Sequence, residues 1–152
     1  MKRALLLLLL PLMACSKPSP LRQVDCVIEE QSGGSSVGVG PKVGDESGGW
    51  IVDIETGQEY EYDKFKEDFA PLPPEKIIDG TKWTYRSALV NGKWKSEAKF
   101  PGEYNFSKDN VSTFELDLKT MKYEEEEDWE YYDYPYKSSG TCKFVEPEAP
   151  EK

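Results

Sequence analysis

The residues with the most chemical potential lie between positions 123 and 136, YEEEEDWEYYDYPY, where seven carboxylates run together with five tyrosines and a tryptophan. Acids in that number could hold a cation, pair for glycoside hydrolysis, or face a basic protein. Calcium loops space their oxygen ligands as D-x-[DN]-x-[DN]-G, which is absent here, and consecutive glutamates on a strand point to opposite faces. Glycosidase carboxylates are set by distance in space, and no motif singles out a pair. The chain contains no histidine, which removes the commonest general base, the commonest zinc ligand and every Ser-His or Cys-His arrangement. Neither catalytic residues nor a metal or cofactor site is therefore expected. Binding remains. Glu124, Glu125, Glu126, Glu127 and Asp128 supply charge, while Trp129, Tyr131 and Tyr132 supply large, rigid contact area. The plainer alternative is a charged edge hairpin whose acids block edge-to-edge pairing while alternate aromatics fill a core.

A second chemical feature sits at the N-terminus. Met1, Lys2 and Arg3 form a positive start, and Ala4 to Ala14 an apolar run of eleven residues broken by Pro11, the pattern of a secretory signal. Eleven helical residues reach about 16 Å, half of a bilayer core of about 30 Å, so the run is too short to anchor by spanning. The order Leu12-Met13-Ala14-Cys15 resembles the lipobox of bacterial lipoproteins; Met13 departs from the usual small residue. The resemblance covers only these first fifteen residues. It implies cleavage before Cys15 and acylation of Cys15, palmitate included, and Ser16 after the cysteine suits the outer membrane. The expected organisation is a signal peptide at 1–14, a lipidated cysteine and tether at 15–22, a β domain at 23–146 and a disordered tail at 147–152.

Loss of Lys2 and Arg3 with the signal takes the formal charge from −10 to −12. Such a surface repels nucleic acid and anionic headgroups and favours a basic protein. With Cys15 given to lipid, Cys26 and Cys142 remain as an even pair in an oxidising compartment, and a disulfide is expected between them.

The elements that must position these groups read as short strands. In KWTYRSALVNGKWKSEAKF, residues 82–100, Asn91-Gly92 between two alternating runs signals a type I′ hairpin. The implied register sets Val90 against Lys93, Leu89 against Trp94, Ser87 against Ser96, Tyr85 against Ala98 and Trp83 against Phe100. Arg86 with Glu97 and Thr84 with Lys99 fall on the wet face. A second hairpin is expected over 50–63, turning near Thr56-Gly57 with Trp50, Val52 and Ile54 on one face and Tyr60 and Tyr62 returning. A third spans 114–124, turning near Lys119-Thr120. Strands near 24–30 and 141–146 would carry the two cysteines. Residues 31–49 read as a flexible Gly/Ser loop with no phosphate-binding pattern, and 64–74 as at most one helical turn stopped by prolines.

The whole reads as all-β: an antiparallel meander of hairpins forming a small barrel or sandwich, closed or nearly so, with its first and last strands joined by a disulfide. The expected function is a membrane-anchored, non-catalytic binding or inhibitory module of the envelope. The alternative is a carrier of a small apolar ligand inside the barrel, which Trp50, Trp83, Tyr85, Trp94 and Phe100 would oppose by filling the interior.

Overall fold

Asn91 and Gly92 both take positive φ, 52° and 77°, as the two central positions of a type I′ turn require. Around them every expected rung from Thr84–Lys99 to Val90–Lys93 is in place, and Trp83 stacks on Phe100 with ring centroids 4.1 Å apart. The computed structural model describes residues 19–34, 41–101, 109–129 and 132–149; Cys15 and Tyr131 lie outside the described residues.

Ten strands follow in order: β1 (Leu21–Gly34), β2 (Glu46–Asp53), β3 (Glu59–Asp63), β4 (Asp68–Pro71), β5 (Glu75–Ile78), β6 (Thr81–Val90), β7 (Lys93–Phe100), β8 (Asn110–Asp117), β9 (Lys122–Asp128) and β10 (Tyr134–Val145). They form one antiparallel sheet, β4-β3-β2-β1-β10-β9-β8-β7-β6-β5. The first and last strands therefore meet at its centre. Cys26 and Cys142 are direct cross-strand partners, and their sulfurs are bonded. The Cys142 N–H donates to the Met121 carbonyl instead of to β1, so the bridge spans a non-hydrogen-bonded rung, where side chains come closest.

The sheet is not closed by hydrogen bonds. Its edges, β4 and β5, are joined by only Leu72, Pro73 and Pro74, so it must curl until the edges meet. Proline has no N–H to donate, and Pro71, Pro73 and Pro74 leave this seam without a ladder. Side chains bridge it instead. Trp94 Nε1 donates to the Gly57 carbonyl at 3.1 Å, Ser96 Oγ donates to Glu59 at 2.7 Å, and Lys76 pairs with Glu61 at 2.5 Å. Gly57 approaches β6 so closely that a Cβ there would lie 2.2 Å from the Leu89 nitrogen.

Several expectations change. Residues 31–49 are not all loop: β1 continues to Gly34 and β2 begins at Glu46. The glycine there serves a bulge between Val24 and Asp25, where Gly48 (φ 146°) leaves no room for a Cβ against the Val24 carbonyl. Residues 64–67 form a hairpin turn rather than a helical one, held by Asp63 accepting from the Phe65 and Lys66 N–H groups. β1 starts at Leu21, inside the stretch assigned to the tether, and β10 starts at Tyr134, seven residues earlier than expected. On β3 the residue opposite Val52 is Glu59, so a carboxylate occupies the row where tyrosines were expected.

Period-two alternation gives the sheet a dry face. Val24, Cys26, Val52, Trp94, Phe114, Leu116 and Tyr123 form its buried core. Trp50 packs on Phe114 at 4.3 Å and Phe114 stacks on Tyr123 at 5.3 Å.

Candidate functional site

The acidic segment does not form one surface. β9 lies between β8 and β10, so it is no edge, and the edge-protection reading is overturned. Alternation about buried Tyr123 sends Glu125 and Glu127 to the dry face with it and Glu124, Glu126 and Asp128 to the other.

The inward pair is electrostatically costly. Burial pushes the Glu125 carboxyl up to about 7, the nearby Glu127 charge adds to this, and the Ser138 hydroxyl, donating at 3.1 Å, opposes it. Burial also raises Glu127, against a hydrogen bond from the Tyr132 hydroxyl at 3.2 Å. A third inward carboxyl, Glu59, is 8% exposed and is raised by burial against its bond from Ser96. Its own N–H donates to Ser87 Oγ at 3.0 Å. Sequence reasoning missed Glu59; the signal was available in the pairing of Val52 with Glu59 around the Thr56-Gly57 turn. Each inward carboxyl is thus held by a serine or tyrosine hydroxyl. Among the described residues no group of three or more acidic, cysteine or histidine side chains is arranged to hold a metal ion.

Trp129 is half-buried, with its ring edge-on to Phe100 at 5.4 Å and stacked with Tyr132 at 6.0 Å. The segment runs from mid-sheet to a rim. Along β1, Gln23 is level with Val145 and Gly34 with Tyr134, so the rim bearing Trp129, Tyr132 and Tyr134 lies at the end opposite the chain's N-terminal approach. The span of β1 is at most about 45 Å at 3.3 Å per residue.

The outward acids border a concavity. A solvent-open trough of about 830 Å³ crosses β6, β7, β8, β9, β10 and β1. By register its two walls are the rows Arg86-Glu97-Thr113-Glu126-Lys137-Ser32 and Ala88-Lys95-Glu115-Glu124-Ser139-Glu30. Lys137 pairs with Glu126 at 2.9 Å and Lys95 with Glu115 at 2.6 Å; Lys93 also pairs with Glu115. This space is charged and lies on the face away from the core. The rings of Trp50, Trp94, Phe114 and Tyr123 pack the dry side.

No protein-family model matches the chain, and neither does any curated protein or solved structure.

Proposed function

We propose that this protein is a lipid-anchored, non-catalytic binding module of the cell envelope, tethered through Cys15 to the outer membrane, which engages or blocks a basic protein. The observation that carries this reading is the placement of the segment from Glu124 to Tyr132. Its outward acids lie on open sheet, and its aromatic end lies at the rim remote from the N-terminus. Anchoring at one end would present that rim away from the membrane. The order Leu12-Met13-Ala14-Cys15, the mature charge of −12 once Lys2 and Arg3 are gone, and the absence of histidine all agree with binding rather than chemistry.

The test is binding of the purified mature domain to a panel of purified basic and acidic proteins. Basic partners should be preferred, and the preference should weaken with salt, since exposed charges are screened over about 10 Å at 0.1 M ionic strength. Replacing Glu124, Glu126 and Asp128 by their amides should slow association, because exposed charges act by steering. Trp129→Ala should raise the dissociation rate, with a loss on the order of 2 kcal/mol, about thirtyfold. Melting temperatures measured beside binding separate this from unfolding, because Trp129 also packs on Phe100. Equal, salt-independent binding of both protein classes would count against the proposal.

A further inference from the structure

We infer that the trough across β6 to β10 and β1 seats a single extended polypeptide segment bearing lysine or arginine. The inference rests on the binding reading above and names the form of the partner.

The dimensions select the occupant. The walls are residues two apart on each strand, about 7 Å between centres, so a helix of about 10–12 Å cannot enter, and an extended chain lies along their tops with alternate side chains reaching between them. Six strands give five spacings, about 24 Å, the length of roughly seven extended residues at about 3.3 Å each. The floor is backbone already engaged in the sheet ladders, so the occupant is read through the walls and does not add as a strand.

The walls also select charge. They carry Glu30, Glu97, Glu115, Glu124 and Glu126 against Arg86, Lys95 and Lys137. β9 alone among the six places a carboxylate on both walls, at Glu124 and Glu126. Glu126 and Glu115 already have lysine partners, whereas Glu124 makes no ion pair among the described residues. A cationic side chain at the β9 crossing would meet both acids. No aromatic side chain stands on either wall, so there is no stacking platform for sugar rings or bases.

The experiment is fluorescence anisotropy of the mature domain with three labelled eight-residue peptides, alternating serine with lysine, glutamate or glutamine. The lysine peptide should bind saturably at low salt. Glu124→Gln with Glu126→Gln should weaken it at least tenfold. Thr113→Trp, which fills the exposed middle of the trough, should abolish binding, while Phe65→Ala, in the exposed turn between β3 and β4, should leave it unchanged. All these variants should melt with the wild type. Undiminished binding to Thr113→Trp, equal binding of the glutamate or glutamine peptide, or self-association blocked by Thr113→Trp would overturn the inference. If basic proteins bind but the lysine peptide does not, the trough fails and the binding reading survives; if neither binds, both fall.

Discussion

The indole N–H of Trp94 donates to the Gly57 carbonyl across the proline seam, joining positions 37 apart in the chain. The contact requires glycine twice. Gly57 has φ 78°, and a Cβ there would strike the backbone of Ala88 and Leu89. Gly57→Ala should therefore destabilise the domain by about 2 kcal/mol or more, lowering the melting temperature by roughly 5–10 °C. An unchanged melting curve would show that the seam is loose enough to absorb a methyl group.

Glu125 makes stability depend on pH. Burial holds its carboxyl in the folded state at about 7, above its ordinary value of 4.5, so the folded protein holds a proton that the unfolded chain releases. That contribution is fully present below pH about 4.5 and is lost as pH rises through about 7. Denaturant titrations should show it falling by about 3 kcal/mol across this window. Glu125→Gln, neutral throughout, should make the profile shallower, leaving the part due to Glu59 and Glu127, and exceed wild type in stability at pH 8. Identical profiles for the two would place the Glu125 carboxyl in water.

Cys26 and Cys142 close most of the chain, 116 positions apart. On the chain-entropy account their bond contributes about 4–5 kcal/mol. Reduction, or Cys26→Ser with Cys142→Ser, should shift chemical denaturation by that order. The denatured, unreduced mature protein should alkylate at neither position; two reactive thiols would refute the bridge.

Acylation is checked on the intact chain in a bacterial host. Labelled palmitate should enter the wild type and not Cys15→Ala, and the variant should lose membrane association. Equal labelling would leave the Leu-Met-Ala-Cys order without a role.

Trp129 sits edge-on to Phe100. Trp129→Ala should therefore cost about 2–3 kcal/mol of stability as well as binding, whereas Tyr134→Ala, at 73% exposure, should leave the melting temperature within about 1 °C. A melting temperature unaffected by Trp129→Ala would mean that the indole stands free of the rim.

What the sequence determined by itself was local. Asn91-Gly92 set the register of β6 on β7 because a two-residue turn couples the next rungs mechanically, and a slip would have turned Trp83 and Trp94 outward. The Cys26–Cys142 bond was expected once Cys15 was set aside for lipid, which left an even pair. The fate of the acidic run was partly legible: once Tyr123 is buried, alternation sends Glu125 and Glu127 inward. Only the tertiary structure decided that β1 and β10 meet at mid-sheet and that β9 is therefore no edge. The same holds for the partner that Glu59 finds across the seam, Ser96 of β7. Strand order and curl arise from twist accumulated over the whole sheet and from three prolines that deny its edges a ladder. Period-two patterning separates two faces, but it does not say which strand will close over which.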